Sequence, residues 1–148
     1  MTNWFEVKIR FEKTMENGMT KKITETHMLD ALSFAESENN CIEELRQYIS
    51  GEFTVVSIKR TNYSEVFFSD EASADRYFKC KLLFITLDER TGSEKKTPNH
   101  ILVQAADLRD AVKKLDEGMK GTMADYQIAL IAETPIIDVH PYQPQTEQ

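Results

Sequence analysis

Apolar and polar residues alternate near the start of the chain. The apolar positions are Phe5, Val7, Ile9 and Phe11, and the positions between and beside them are Trp4, Glu6, Lys8, Arg10 and Glu12. Successive side chains of a β-strand point to opposite faces of the sheet, so this pattern predicts a strand with one buried face. Asn17-Gly18 is typical of a two-residue hairpin turn with positive φ at both residues, and a second strand is expected at about 21–29.

The spacing of the apolar residues changes after the second strand and predicts a helix. Ser33 lies three residues before Glu36, which is the spacing of a capping box. Apolar residues then recur at helical intervals, at Phe34, Cys41, Ile42, Leu45, Tyr48 and Ile49. Gly51 is expected to end this helix, and the segments 52–60 and 64–68 are predicted to be a third strand and a short fourth one.

The same order of elements is predicted a second time. The residues from Trp4 to Phe11 resemble those from Tyr77 to Phe84, at a displacement of 77 − 4 = 73 positions. The repeated pattern predicts inward positions at Phe78, Cys80, Leu82 and Phe84, a turn at Thr91-Gly92 and a returning strand at 96–103. A helix from Asp107 to Gly118 and strands at 126–133 and 136–139 follow.

This pattern predicts an α+β fold, formed by tandem duplication of a ββαβ(β) unit, with a largely antiparallel sheet, two helices and pseudo-twofold symmetry. We expect a single domain over residues 1–140, in which repeat one spans 4–68 and repeat two spans 77–140. The segment between the repeats is expected to be a short connector. Residues 141–148, which are polar and contain proline, are expected to form a flexible tail.

Composition and charge narrow the class of protein. The chain has 148 residues, of which 41% are hydrophobic and 29% charged, and its net charge is −7. The apolar runs are too short for a membrane span, and no signal peptide is predicted, so we expect a cytoplasmic protein without membrane contact. The negative charge argues against binding to duplex DNA by charge alone. The only cysteines, Cys41 and Cys80, share no metal or redox spacing and are expected to be buried thiols.

The histidines are the first candidates for chemistry. His27 and His100 lie at equivalent positions of the two repeats, so symmetry could bring them together as a metal or acid–base pair. No ligand cluster accompanies either residue, so we favour a role for both in hydrogen bonding at a strand end; His140 is a weaker candidate. No catalytic, metal-binding or cofactor motif is present, and neither a catalytic residue nor a cofactor or metal is expected.

Glycine spacing offers a second candidate. Gly118-Met119-Lys120-Gly121 matches the two-glycine loop of K-homology domains, but that loop joins two helices, whereas here a strand is predicted to follow. We therefore interpret Gly118 as the end of the second helix.

The outward positions of the repeated strand suggest a binding surface. In the first repeat these positions include Trp4, Lys8 and Arg10, and in the second they are Tyr77, Lys79 and Lys81, with Lys59, Arg60 and Tyr63 expected nearby. Aromatic rings interleaved with cations are typical of proteins that bind single-stranded nucleic acid, because bases stack on the rings. Glu6 and Glu12 on the same face oppose this interpretation, and a solvated face or a dimer contact is favoured.

Four stretches of the chain resemble a known family. They are Asn3 to Lys8, Ser50 to Val55, Phe78 to Leu82 and Ala105 to Leu115. They are similar to an uncharacterised bacterial family, domain of unknown function 4494, and the resemblance covers almost the whole chain. It implies an intracellular single-domain protein, and it carries over no activity and no catalytic residue.

The sequence thus favours a non-enzymatic binding or assembly module, with a protein partner or self-association. The first alternative is single-stranded nucleic acid binding through the aromatic and basic face. The second is a small enzyme with a site between the repeats.

Overall fold

The fold is α+β, as predicted, with eight strands and two helices in the described part of the chain. The structure is a computed structural model, and it describes residues 3–46, 49 and 51–141. The elements, in chain order, are β1 (Asn3–Thr14), β2 (Thr20–Ala31), α1 (Phe34–Arg46), β3 (Phe53–Arg60), β4 (Tyr63–Phe67), β5 (Arg76–Leu87), β6 (Glu94–Ala105), α2 (Leu108–Gly118), β7 (Asp125–Glu133) and β8 (Ile136–His140).

The chain divides into two compact units, each with a four-stranded sheet. The first unit contains residues up to Thr61 and from Pro135 onward, and the second contains Asn62–Thr134. The strand order of the first sheet is β3-β1-β2-β8, and that of the second is β7-β5-β6-β4. In each sheet the first three strands are antiparallel, and the fourth pairs parallel to its neighbour.

Each sheet takes its fourth strand from the other half of the sequence. β4 follows β3 along the chain but pairs with β6, and β8 follows β7 but pairs with β2. The compact units therefore do not coincide with the sequence repeats 4–68 and 77–140. The two sheets nevertheless correspond strand by strand, and their bulges correspond too: the β1–β3 register shifts after Lys8, and the β5–β7 register shifts after Lys81.

One face of each sheet is covered by its helix. In the first unit Val7, Ile9 and Leu29 pack against Cys41 and Leu45 of α1. In the second unit Phe78, Cys80 and Leu82 belong to the same cluster as Ala111 and Leu115 of α2. Phe11 and Phe84, the outer members of the two predicted inward sets, are partly buried against these clusters. The period-two pattern therefore predicted the buried face correctly.

Both helices start with a capping side chain, at Ser33 as predicted and also at Asp107, where the sequence predicted only the helix start. Ser33 Oγ accepts a hydrogen bond from the Glu36 N–H at 3.2 Å, and Asp107 Oδ1 accepts one from the Asp110 N–H at 2.8 Å. These bonds satisfy N–H groups that have no partner within the helix. Ser33 and Asp107 are 107 − 33 = 74 positions apart, one more than the displacement of the first strands.

The extra residue lies in the second hairpin loop. The β1–β2 loop spans residues 15–19, whereas the β5–β6 loop spans residues 88–93, one residue more. Thr91-Gly92 lies in that second loop, and Gly92 has a φ of +71°. The displacement between corresponding residues is therefore 73 in β1 and β5, and 74 from β2 and β6 through the helices.

The first hairpin turn differs from the prediction. Gly18 has a φ of +81°, but no non-glycine residue in the described chain has positive φ, so Asn17 is not in the conformation of a type I′ turn. Instead Gly18 N–H donates to Met15 O at 2.9 Å, and Met15 N–H donates to Met19 O at 2.8 Å. This is the pattern of a longer loop in which one glycine forms a bulge, and the Asn17 side chain accepts from Met19 N–H.

The end of α2 also differs from a glycine stop in the left-handed conformation. Gly118 is the last residue of the helix and has no positive φ; Gly121 has that conformation, at +88°. A Cβ at Gly118 would lie 2.5 Å from the Phe67 ring. Gly118 is thus suited to this position by close packing of β4 against α2 rather than by its backbone freedom.

Neither helix of the described chain is long and apolar enough to cross a membrane. Tyr48, which was predicted in the apolar stripe of the first helix, and residues 142–148 of the predicted tail lie outside the described residues. The connector between the repeats is anchored, as expected, since the buried Ala74 accepts a hydrogen bond from the Gln104 side chain at 2.9 Å.

Candidate functional site

Four titratable side chains of the first unit form a continuous chain of contacts. They are, in order, Glu25, His27, His140 and Glu44, and we call them the quartet. The ring nitrogens His27 Nδ1 and His140 Nε2 lie 3.2 Å apart. The outer nitrogens face carboxylates: His27 Nε2 lies 3.4 Å from Glu25 Oε1, and His140 Nδ1 lies 3.8 Å from Glu44 Oε2.

The fold explains why these residues meet. Glu25 and His27 are two positions apart on β2, so both point to the face that α1 covers. β8 pairs parallel to β2, with Asp138 opposite His27 and His140 opposite Leu29. Because β8 comes from the far end of the chain, the contact joins two histidines that are 113 positions apart.

Three residues of the quartet, Glu25, His27 and His140, line a cavity of about 650 Å³, which we call the histidine pocket. Its apolar lining consists of Phe11, Ile23, Leu45, Ile49 and Ile137. Its polar lining consists of Glu12, Lys13, Thr14, Glu25, His27, Asp138 and His140. A concave, largely apolar surface with a few convergent polar groups is typical of a site for a small molecule.

The electrostatic environment of the quartet favours a neutral His27. Burial lowers the pKa of His27, and the nearby His140 lowers it further, while the contacts with Glu25 and the charge of Asp138 act in the opposite direction. His27 is only 4% exposed. A neutral imidazole has one N–H and one acceptor nitrogen, so a neutral His27 can donate a hydrogen bond to only one of its two neighbours, Glu25 and His140.

The second unit places different residues at the corresponding positions. With the displacements established above, Glu25 and His27 correspond to Asn99 and Ile101, and Glu44 corresponds to Gly118. His140 corresponds to Phe67, since β8 and β4 pair with equivalent residues of β2 and β6. There, Phe67 packs tightly on Gly118 and belongs with Ile101 to the hydrophobic core. Three residues of the quartet, His27, His140 and Glu44, thus occupy the places of Ile101, Phe67 and Gly118, whereas Glu25 corresponds to the polar Asn99.

The predicted equivalence of His27 and His100 is wrong by one residue. His27 is paired with Val7 on β1, whereas His100 is paired with Lys81 on β5. The residue that corresponds to His27 is Ile101, so His100 points to the sheet face opposite the helix. Burial and then the charges of Lys79 and Lys81 lower the pKa of His100. The partner of His27 is His140, which the sequence pattern did not favour.

Part of the predicted aromatic and basic face is present in the first unit. Trp4, Lys8 and Arg10 lie on the β1 face opposite α1, and Lys59 joins them because it is paired with Glu6. Lys8, Arg10 and Lys59 are exposed and Trp4 is partly buried. We call these four residues the cationic face.

Three further residues of the predicted surface are placed differently. Arg60 lies on the other face of the sheet, where its guanidinium is 5.7 Å from the ring centroids of Phe5 and Phe34. Tyr63 belongs to the second unit, where it is paired with His100. Tyr77 is only 4% exposed. The expectation that its ring is open to solvent is therefore corrected, since the sheet face carrying Tyr77 also carries the fully buried Leu102.

Lys79 and Lys81 lie on the predicted face of β5 and are partly buried. Met28 at 0% exposure shows that the corresponding face of the first sheet is also covered in its middle. An aromatic and cationic surface running across both repeats is thus reduced to the cationic face of the first unit.

The two cysteine thiols are buried, as predicted. Burial raises the pKa of Cys41 to about 12 and that of Cys80 to about 11. Over residues 3–46, 49 and 51–141, no three histidine, cysteine or carboxylate side chains are grouped so as to hold a metal ion.

The chain belongs to the family described as Domain of unknown function (DUF4494), whose model matches residues 3–142. This match confirms the family suggested by the resemblance of its four stretches. No curated protein matches the chain at a significant level.

Proposed function

We propose that the protein is a binding module whose ligand occupies the histidine pocket of the first unit. The observation that carries this proposal is the contrast between the two units. The same fold is completed by Ile101, Phe67 and Gly118 in one unit and by the polar quartet beside a cavity in the other. The second unit shows that apolar side chains are sufficient to pack the helix on the sheet at these positions. We therefore attribute the quartet of the first unit to recognition of a ligand rather than to folding.

The state of the two thiols argues against catalysis through a cysteine nucleophile. The thiolate is the reactive form of cysteine, and burial raises the pKa of Cys41 and Cys80 to about 12 and about 11. Neither thiol therefore supplies a nucleophile at neutral pH.

The proposal includes an origin by duplication. Its support is the shared strand order, the equivalent bulges after Lys8 and Lys81, and one repeated hydrogen bond. Thr61 donates to Trp4 O at 2.9 Å, and Thr134 donates to Tyr77 O at 2.9 Å, at a displacement of 134 − 61 = 77 − 4 = 73. After duplication one copy kept or acquired the polar set. A cytoplasmic location and a protein partner or self-association remain part of this proposal.

Histidine-selective NMR tests the pocket directly, because the chain has only three histidines. The probe is a set of small aromatic acids and amines, added singly to protein with ¹³C-labelled histidine rings. We expect the signals of His27 and His140 to shift together, while His100 in the second unit serves as the internal control. Shifts at His100 alone, or none at any histidine, would refute the proposal.

A second candidate function is binding of single-stranded nucleic acid through the cationic face. It is supported by Trp4 beside the exposed Lys8, Arg10 and Lys59, and opposed by Glu6. Trp4 is the only tryptophan, so its fluorescence reports on this face. Quenching by an oligonucleotide that weakens steeply with salt, and that is lost in Lys8→Glu/Arg10→Glu, would favour this function. No quenching at low salt would exclude it.

A further inference from the structure

The inner nitrogens of the two pocket histidines are spaced like two ligands of one metal ion. His27 Nδ1 and His140 Nε2 are 3.2 Å apart. Two imidazole nitrogens at about 2.0–2.1 Å from a tetrahedral zinc ion lie about 3.3 Å from each other. The separation of the two nitrogens therefore matches that of two ligands of one metal ion, and the rings, which are stacked at 26° to each other, would adjust by turning.

The outer nitrogens have the partners that metal-binding histidines usually have. Glu25 faces the outer nitrogen of His27, and Glu44 faces that of His140. A carboxylate that accepts the outer N–H fixes the tautomer in which the inner nitrogen carries the lone pair. At 3.4 Å Glu25 supports this tautomer for His27, whereas Glu44, 3.8 Å from His140 Nδ1, lies beyond hydrogen-bond distance and acts on His140 through its charge alone.

The carboxylates of Glu25 and Glu44, on the far sides of the two rings, would also offset the charge of a cation bound between the inner nitrogens.

We propose that the quartet binds a divalent transition-metal ion of the zinc, copper or nickel type between His27 Nδ1 and His140 Nε2. The inference deepens the proposed function and rests on it, since it names the ligand class of the same pocket. The protein supplies two ligands, and water or a small molecule in the histidine pocket completes the coordination sphere.

The test uses Zn²⁺ alone as the probe, followed by the ring signals of the three histidines at about pH 7.5, where unperturbed imidazole is neutral. We expect His27 and His140 to shift together and saturate at one equivalent, with His100 unchanged. Calorimetry on the same protein gives the affinity. Replacement of the outer carboxylate, Glu25→Gln, should weaken binding by about 10-fold.

His27→Gln and His140→Gln should each abolish this binding, and His100→Gln should leave it unchanged. Should either pocket variant fail to fold, the signals of the unaltered protein still decide the matter. Shifts confined to one histidine would overturn the metal inference. The absence of any shift at about 1 mM Zn²⁺ would overturn it too, because a specific site has a Kd well below this concentration and would be filled. If the aromatic probes shift both pocket histidines and Zn²⁺ does not, the proposed function stands and the metal inference fails.

Discussion

Gly118→Ala is expected to destabilise the protein, although alanine favours helices more than glycine does. A Cβ at Gly118 would lie 2.5, 2.7 and 2.9 Å from three carbons of the Phe67 ring. Carbon atoms in contact normally lie about 3.5–4.0 Å apart, so the ring would have to move by about 1 Å. The backbone is not the reason for the glycine, because Gly118 has no positive φ.

The magnitude follows from two opposing effects. Overpacking of a core typically costs about 1–3 kcal/mol, and the higher helix propensity of alanine returns at most about 1 kcal/mol. A net loss of about 1–2 kcal/mol in the free energy of unfolding corresponds to roughly 2–8 °C in Tm for a chain of this size.

Urea and thermal unfolding, followed by circular dichroism, measure this loss. The decisive comparison is the same substitution in a Phe67→Ala background, where the ring is absent and Gly118→Ala should become neutral or stabilising. Glu117→Ala, at an exposed position of the same helical turn, is the matched control and should change stability by less than about 0.5 kcal/mol. If Gly118→Ala stabilises the protein, or costs the same in both backgrounds, the packing argument is wrong.

Two further predictions concern the buried titratable groups. The free energy of unfolding should fall as the pH is lowered from about 7.5 to about 5.5. His27 is buried among Glu25, His140, Asp138 and α1, and its pKa in the folded protein is lower than the value of about 6.5 in the unfolded chain. The unfolded chain therefore takes up the proton first, which favours unfolding. Urea unfolding across this range should show a smaller slope for His27→Gln, and an unchanged slope would contradict the assignment. Cys41 and Cys80, with pKa values raised to about 12 and about 11, should react with a thiol reagent at neutral pH only after unfolding; rapid labelling of the native protein would show that the thiols are accessible.

The local elements could be predicted from the sequence because their signals are local. Alternation from Phe5 to Phe11 specified the buried face of β1, and Ser33 and Asp107 specified both helix starts. The exchange of β4 and β8 between the sheets could not be predicted. A short strand pairs with the sheet edge that its side chains fit. The sequences of residues 63–67 and 136–140 do not indicate which of the two similar sheets each strand joins.

The mistaken match of His27 with His100 comes from a single residue, while the contact with His140 depends on the exchange of β8. Comparison of the two sequence repeats with a constant displacement of 73 positions matches His27 with His100 in the second strand. The longer second hairpin loop changes the displacement to 74 before that strand, and a slip of one residue moves a side chain to the other face. One signal was available: Ser33 and Asp107, 74 positions apart, already required an extra residue somewhere before the helix.

The contrast between the units leads to a final prediction. Replacing His27, His140 and Glu44 by the residues at the corresponding positions of the second unit should keep the fold and remove the site. The three substitutions must be made together. A phenylalanine at position 140 would desolvate Glu44, and a histidine at position 67 would leave a ring nitrogen without a partner beside Gly118.

His27→Ile, His140→Phe and Glu44→Gly together reproduce the arrangement of the second unit. Replacing buried polar groups by well-packed apolar ones is often neutral or stabilising, whereas a glycine at position 44 of α1 costs up to about 1 kcal/mol. The free energy of unfolding of the triple variant should therefore lie within about 1 kcal/mol of that of the unaltered protein. The variant should also lose every response of the pocket to Zn²⁺ and to the aromatic probes. A triple variant that is markedly less stable would show that the quartet serves the packing of the first unit, because the fold would then depend on the polar contacts that the second unit does without.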